Sequence, residues 1–143
     1  MIGNIGMYDE GLIAPMRKEL TDLGVKQLLT PEEVDKALRN QKESSLVIVN
    51  SVCGCAAGKA RPGIALALRH QKLPARLYTV FAGQDRPATE RARTYFNGYP
   101  PSSPQIALLK DGKVVFMLER RDIENKEAPE IAEKLAQAFD KFV

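Results

Sequence analysis

An uninterrupted apolar run, Leu46-Val47-Ile48-Val49, is the feature that most restricts how this chain can fold. Its β-branched residues favour a strand, and the lack of polar alternation predicts that both faces of the strand are buried. Such a strand belongs in the centre of a parallel or mixed sheet that helices cover on both sides. The sequence therefore predicts an α/β fold.

Both cysteines of the chain follow this strand, in the segment Asn50-Ser51-Val52-Cys53-Gly54-Cys55. The alanine-rich stretch after them, from about Ala56 to Gln71, is predicted to be a helix that is kinked at Pro62 and Gly63. Sites in open α/β sheets are built at the carboxyl ends of strands. A thiol at the start of a helix also lies near unpaired backbone N–H groups, which favour the thiolate. The pattern predicts reactive sulfur, with Gly54 relieving crowding between the two thiols.

Helical spacing and turn residues predict the remaining elements. They are an N-terminal helix over about 8–23, a short edge strand over 25–29, a helix opened by a Thr30–Glu33 capping box, a strand over 76–81, a helix over 87–96, a hairpin of strands 105–109 and 113–118, and a terminal helix carrying Ile131, Leu135, Phe139 and Phe142. A βαβ crossover that feeds an antiparallel hairpin predicts a mixed sheet with helices on both faces.

Composition limits the class of function. A chain of 143 residues with 44% hydrophobic content can form one domain with a sizeable core. The 21 basic and 18 acidic residues form no block of like charge, which argues against nucleic acid as a partner. No apolar run has the length of a membrane span and the N-terminus does not resemble a secretory signal, so we expect a cytoplasmic protein that does not enter membranes. In a reducing cytosol, neighbouring cysteines are more often catalytic, redox-sensing or metal-binding than structural.

The order of elements, with the cysteine motif between the second strand and its helix, resembles the thioredoxin fold. That family has a cis-proline directly before the first strand of the hairpin, and Pro104 occupies this place, so the resemblance implies a cis Ser103–Pro104 bond. Cys53-Gly54-Cys55 in place of Cys-x-x-Cys, the segment 56–63, and Met7-Tyr8 with the extra N-terminal helix resemble the bacilliredoxin family. This resemblance covers essentially the whole chain. It implies a single thioredoxin-like domain over 1–143 with an N-terminal helical extension over 1–24.

Bacilliredoxins are implicated in removing bacillithiol, a low-molecular-weight thiol, from S-bacillithiolated proteins, and some are described as disulfide isomerases. The resemblance therefore implies a thiol–disulfide oxidoreductase that acts through Cys53 and Cys55, with Gly54, Ser103 and Pro104 contacting the substrate. Bacillithiol would be a co-substrate, with no tightly bound cofactor. The partners would be S-thiolated or disulfide-bonded proteins and a reductase system.

The chemistry of thiol–disulfide exchange assigns a role to each cysteine. Cys53 is the expected nucleophile because it precedes the helix and should be the more exposed, and Cys55 is the expected resolving thiol. A disulfide between them closes a small ring, which should make the pair more oxidising than that of thioredoxin. Val47 stands where thioredoxins keep a buried aspartate that assists proton transfer from the second cysteine, so the usual electron-transfer route lacks its carboxylate.

Other interpretations of the cysteines stay open. Disulfide isomerisation or oxidation would use the same thiols, whereas a redox-sensing or metal-binding module would use them as ligands, and two buried thiols can also pack as small apolar residues. Zinc takes four ligands, and the chain adds only His70 to the cysteines, although a dimer could share ligands. The N-terminal helix could pack against its own domain or against a second copy, which would give a homodimer.

Three polar residues near the cysteines are further candidates. Lys59 and Arg61 could support the thiolate or bind an anionic small thiol, although a solvated side chain is the commoner role for both residue types. Asn50 could orient the loop that carries Cys53 by hydrogen bonding to it.

Overall fold

The structure is a computed structural model, and it describes residues 6–143. Five strands form one mixed sheet: β1 (Lys26–Gln27), β2 (Ser45–Asn50), β3 (Arg76–Phe81), β4 (Gln105–Lys110) and β5 (Lys113–Leu118). Their spatial order is β1-β3-β2-β4-β5. Strand β3 runs parallel to β1 and β2, whereas β4 runs antiparallel to β2 and β5. The predicted mixed sheet is confirmed, with β2 at its centre.

The helices of the described residues are α1 (Glu10–Thr21), α2 (Pro31–Leu38), α3 (Arg61–Ala67), α4 (Arg86–Arg93), α5 (Arg120–Glu124) and α6 (Ala128–Phe142). A π-helical turn over Ala56–Ala60 directly precedes α3. The predicted N-terminal helix is confirmed as α1, while residues 1–5 of the predicted extension over 1–24 lie outside the described residues. No helix in the part of the chain that the structure describes has the length and apolar character needed to cross a membrane.

Helices cover both faces of the sheet, and β2 contributes side chains to both. Leu46 and Ile48 point into a core that includes residues of α3 and α6. Val47 and Val49 point into a second core with residues of α2 and α4. All six residues of β2 are buried, which confirms the prediction for this apolar run and fixes the carboxyl end of β2 rigidly within the fold.

The helix after the cysteines differs from the prediction in two ways. It ends at Ala67 rather than near Gln71, and its irregular part is the π-helical turn, which lies before Pro62 rather than at it. Pro62 falls in the first turn of α3, where the missing backbone N–H would have no intrahelical partner in any case. The predicted kink at Pro62 is therefore wrong, because this position does not interrupt a ladder of hydrogen bonds.

Two details of the first helices also correct the sequence analysis. The helical spacing of Leu12, Met16, Leu20 and Leu23 predicts one apolar face for the N-terminal helix. Helix α1 instead buries Ile13 and Leu20, whereas Leu12 is 57% exposed because it lies one helical position away from Ile13. Thr30 caps α2 as predicted, since its Oγ1 accepts a hydrogen bond of 3.1 Å from the Glu33 amide. The Glu33 carboxylate, however, accepts from the amide of Leu29 at 2.7 Å and not from that of Thr30.

Candidate active site

The two cysteines lie where β2 passes into the helical segment. The carbonyl of Cys53 accepts hydrogen bonds of 3.1 Å from the amides of Ala56 and Ala57, so Cys53 stands at the start of the first helical turn. Gly54 and Cys55 are already helical. Both thiols are free and half-buried, so exposure does not distinguish them in the way expected. A Cβ atom on Gly54 would meet no other atom within 4 Å, and this residue leaves the motif open to approach.

A buried arginine fixes the loop between β2 and Cys53. Arg61 is only 3% exposed, and its Nη1 donates to Asn50 Oδ1 at 2.9 Å and to the Ser51 carbonyl at 2.8 Å. Its Nε lies 3.1 Å from Glu19 Oε1 of α1. Asn50 Oδ1 also accepts from the Ser51 amide at 2.9 Å, and Asn50 Nδ2 donates to the Met16 carbonyl at 3.2 Å. Asn50 thus has the orienting contacts that were expected. The expected solvated side chain of Arg61 is wrong, because Asn50 Oδ1 and the Ser51 carbonyl accept its hydrogen bonds and Glu19 lies beside it as an ion-pair partner.

The surroundings of Cys53 favour its thiolate. Partial burial acts to raise the pKa of Cys53, but hydrogen bonds from the Ser51 side chain and from the amides of Ala56 and Cys55, together with the positive charge of Arg120, lower it below the ordinary value. The Ser51 hydroxyl also accepts from the Cys53 amide at 3.3 Å, which holds the hydroxyl beside the sulfur. Cys53 is therefore the thiol that ionises more easily.

The surroundings of Cys55 have the opposite effect. Burial and the negative charge of the Cys53 thiolate raise the pKa of Cys55, and the Glu124 carboxylate adds to this increase, while Arg120 opposes it. Cys55 Sγ donates a hydrogen bond of 3.8 Å to Glu124 Oε2. One site thus holds a thiol that ionises readily next to a thiol that keeps its proton.

Arg120 and Glu124, the first and last residues of α5, were not found by sequence analysis. Arg120 Nε donates to Glu124 Oε2 at 3.4 Å, the same oxygen that accepts from Cys55. A helix of five residues is too short to show a hydrophobic period. One local signal was present, since the Glu119 and Asp122 side chains form a capping box at the start of α5.

Contacts at both ends hold α5 beside the cysteines. The amide of Arg120 donates to Ser102 Oγ at 3.3 Å, which ties the start of α5 to the loop before β4. Lys59 Nζ donates to the carbonyl of Glu124 at 2.7 Å, which ties the end of α5 to the π-helical turn. The Lys59 ammonium therefore binds a backbone carbonyl and lies 3.7 Å from Glu127 Oε2, and neither contact involves a thiol.

Ser103 and Pro104 lie at the same edge of the sheet as the cysteines. The Ser103–Pro104 peptide bond is cis, as the resemblance implied. Pro104 is buried directly before β4, whose first residue, Gln105, pairs with Val49 near the end of β2. A groove of about 520 Å³ adjoins this edge, lined by the loop residues Gly98, Tyr99, Pro100 and Ser102 and by Arg120 and Glu124.

Two other expectations concern carboxylates and metals. Val47 is fully buried among apolar side chains, so β2 offers no carboxylate at this position. Among residues 6–143, no group of three or more His, Cys, Asp and Glu side chains is arranged to hold a metal ion. His70 lies at 2.8 Å from Asp140 and takes no part in the site.

Comparisons with known proteins identify the family. A family model described as Disulphide isomerase matches residues 8–143. A bacilliredoxin of Koribacter versatilis is 54% identical, over 95% of this chain and 94% of its own length. A bacilliredoxin of Staphylococcus haemolyticus is 51% identical, over 97% of this chain and 95% of its own length. The chain belongs to the bacilliredoxin family.

The fold of this bacilliredoxin also matches a solved structure. That structure is described as a proposed oxidoreductase with a thioredoxin fold, and the two superpose with a TM-score of 0.55 at 16% identity, over 76% of this chain and 91% of the other. The predicted thioredoxin-like fold is confirmed. As a bacilliredoxin with this fold, the protein is a thiol–disulfide oxidoreductase, and Cys53 and Cys55 are its only thiols.

Proposed function

We propose that this bacilliredoxin removes bacillithiol from S-bacillithiolated proteins in the cytoplasm, with Cys53 as nucleophile and Cys55 as resolving thiol. The observation that carries the proposal is the opposite shift of the two pKa values within one Cys-Gly-Cys motif. Exchange needs a thiolate for the first attack and a second thiol that stays out of this attack. The two cysteines fit these two tasks.

The first step moves bacillithiol from the substrate protein to Cys53. The Cys53 thiolate attacks the bacillithiol sulfur of the mixed disulfide, and a new S–S bond joins Cys53 to bacillithiol. The electron pair of the broken bond leaves with the cysteine of the substrate protein, which departs as a thiolate and is thereby reduced.

The second step clears Cys53. Cys55 loses its proton and attacks the sulfur of Cys53, which releases bacillithiol as a thiolate and leaves a Cys53–Cys55 disulfide. A reductase system then supplies two electrons to restore both thiols. Bacillithiol enters and leaves as a substrate, and the proposal includes no tightly bound cofactor.

The surroundings of the motif suit a protein substrate that carries a small thiol. The residue between the cysteines, Gly54, is exposed, so that a disulfide can approach the motif. The backbone at Ser103 and Pro104 precedes β4 and can pair with an extended substrate segment by strand addition. The groove between the 98–102 loop and α5 offers space for the small thiol.

Mass spectrometry of a trapped intermediate tests the proposal. The reduced Cys55→Ala variant is mixed with a test protein that carries bacillithiol on its cysteine and, in parallel, with the same protein carrying glutathione. We expect a bacillithiol-sized adduct on Cys53 and a restored test protein, with much slower transfer of glutathione. The adduct persists because the resolving thiol is absent.

The Cys53→Ala variant is the matched control, since it keeps Cys55 and the same number of thiols. We expect this variant to form no adduct and to leave the test protein modified. Absence of an adduct in Cys55→Ala, or full activity of Cys53→Ala, would contradict the proposal.

Disulfide isomerisation is a second candidate, favoured by the description of the matching family model. The same thiols would attack a wrongly paired disulfide of a protein and release it for re-pairing. Refolding of a scrambled disulfide protein distinguishes the two activities. Catalysed refolding without removal of bacillithiol from the test protein would favour the isomerase.

A further inference from the structure

We propose that Glu124 is the catalytic base that accepts the proton of Cys55 when the mixed disulfide on Cys53 is resolved. The geometry points to this role because Cys55 Sγ donates its hydrogen bond to Glu124 Oε2, at 3.8 Å. The inference rests on the roles of Cys53 and Cys55 in the proposed function. It adds a residue that the Cys-Gly-Cys motif itself does not reveal.

Resolution requires a proton acceptor, because the attacking form of Cys55 is the thiolate. The central strand cannot provide one near the motif, since Val47 is buried in an apolar core. The carboxylate that does contact Cys55 comes from α5, which lies 69 residues further along the chain. The side chain of Glu124 is 44% exposed, so a proton that it accepts can pass to water or to the departing sulfur.

Glu124 is held in position by three contacts. Arg120 Nε donates a hydrogen bond of 3.4 Å to Glu124 Oε2, the oxygen that also accepts from Cys55. The Lys59 ammonium binds the Glu124 carbonyl at 2.7 Å, and Ser102 Oγ binds the Arg120 amide at 3.3 Å. The backbone of α5 is thus tied to the π-helical turn through Lys59 and to the loop before Pro104 through Ser102, and the Arg120 side chain holds the carboxylate itself.

The charges of Cys53 and Arg120 determine at which stage Cys55 loses its proton. While Cys53 is a thiolate, its negative charge raises the pKa of Cys55 and keeps the proton on that thiol. In the mixed disulfide the charge on Cys53 is gone, whereas the positive charge of Arg120, which lowers the pKa of Cys55, remains. Cys55 therefore becomes easier to deprotonate only after Cys53 has reacted.

Resolution moves one proton and one pair of electrons. Cys55 Sγ gives its proton to the Glu124 carboxylate and forms a bond to Cys53 Sγ, while the bond between Cys53 and the small thiol breaks. The electron pair of that bond leaves with the small thiol, which is reduced to a thiolate. The two cysteines are oxidised to a disulfide, and Glu124 later returns its proton to solvent.

Exchange with the aromatic disulfide dithiobis(nitrobenzoate) separates the two steps. With the protein in excess, attack by Cys53 releases one coloured thionitrobenzoate, and attack by Cys55 on the mixed disulfide releases a second in a phase independent of protein concentration. We expect Glu124→Gln to keep the first rate and to slow the second about tenfold or more at neutral pH, since the amide cannot accept the proton. The difference between the second rate of Glu124→Gln and that of the wild type should become smaller as pH rises, because hydroxide then removes the proton from Cys55.

Glu43→Gln is the matched control. Glu43 is an exposed, ion-paired glutamate, 2.8 Å from Arg76, and it precedes β2 at the end opposite to the cysteines. We expect both of its rates to equal those of the wild type. A normal second rate in Glu124→Gln, or a deficit that does not change with pH, would overturn this inference alone. A wild-type protein that releases no first thionitrobenzoate would overturn the proposed function together with it.

Discussion

The guanidinium of Arg61 donates a hydrogen bond of 2.9 Å to the side-chain oxygen of Asn50, and both residues are buried. This contact joins the helix after the cysteines to the strand before them. Because Arg61 also binds the Ser51 carbonyl at 2.8 Å, the loop that presents Cys53 is fixed from inside the protein. The position of the thiol is therefore linked to the stability of the core.

Replacing Asn50 by alanine tests this link. Asn50→Ala removes one of the two acceptors of the buried Arg61 Nη1 and leaves the Ser51 amide without its acceptor, so we expect the free energy of unfolding to fall by about 1–3 kcal/mol. Urea unfolding measures the change. Asn97→Ala, at an exposed position, is the control and should change stability by less than about 0.5 kcal/mol. Equal stability of both variants would contradict a stabilising role of the contact between Arg61 and Asn50.

Two glycines of the helical segment form a matched pair. A Cβ on Gly63 would lie 2.7 Å from Ile131 Cγ2 and 2.9 Å from Ile131 Cβ, whereas a Cβ on Gly58 would meet no atom within 4 Å. We expect Gly63→Ala to destabilise the protein by about 1–3 kcal/mol through overpacking between α3 and α6. Gly58→Ala should instead stabilise it by about 0.5–1 kcal/mol through helix propensity. Urea unfolding of both variants measures whether the free energy of unfolding falls for Gly63→Ala and rises for Gly58→Ala.

Arg120 should control the pH dependence of the first attack. Its positive charge lowers the pKa of Cys53, so Arg120→Gln raises that pKa and moves the midpoint of the rate profile to higher pH. Below the midpoint, less thiolate is present and the attack is slower. The first release of thionitrobenzoate, followed across the titration of the thiol, measures the shift.

Arg121→Gln is the control for this change, because the Arg121 side chain is 79% exposed and points to Glu119. It removes the same charge from the same short helix and should leave the midpoint unchanged. An identical profile for Arg120→Gln and the wild type would show that Arg120 does not act on Cys53.

The Cys53–Cys55 pair should have a higher reduction potential than thioredoxin. The small ring disfavours the disulfide, and the lowered pKa of Cys53 stabilises the reduced form. We expect a value above about −270 mV and nearer to the −180 mV or so of protein disulfide isomerase. Equilibration with glutathione buffers, with the oxidised fraction read by thiol alkylation, measures it. A value at or below about −270 mV would contradict this expectation.

The sequence revealed the framework of the site because local patterns determine it. The apolar run of β2 predicts a central strand, and the cysteines follow it directly, so their place at the carboxyl end of the sheet follows from chain order. The helix cap at Thr30 and the hairpin of β4 and β5 were found for the same reason, since their signals lie within a few residues. Roles for Gly54, Ser103 and Pro104 in substrate binding stay predictions.

Contacts between distant segments could not be predicted in this way. Arg61 is buried because β2 and the loop after it supply hydrogen-bond acceptors and α1 supplies the Glu19 carboxylate as an ion-pair partner, although arginine is usually exposed. Glu124 meets Cys55 only because α5 packs against the π-helical turn through Lys59. No spacing in the sequence predicts either contact. Helix α5 has five residues, which are too few to reveal the hydrophobic period of an amphipathic helix.

The π-helical turn before α3 determines the direction in which the sulfur atoms face. The Ala56 carbonyl accepts the amide of Arg61, five residues on, so this turn holds one residue more than a regular α-helical turn. Each residue of an α-helix rotates the chain by roughly 100° about the helix axis. Because the wider turn takes one residue more, the residues before it and those of α3 do not follow one continuous 100° step, and the extra residue shifts by one position which residue before the turn faces a given side of α3. The direction of the thiols relative to α3 therefore depends on the backbone of this turn, separately from the chemical identity of its side chains.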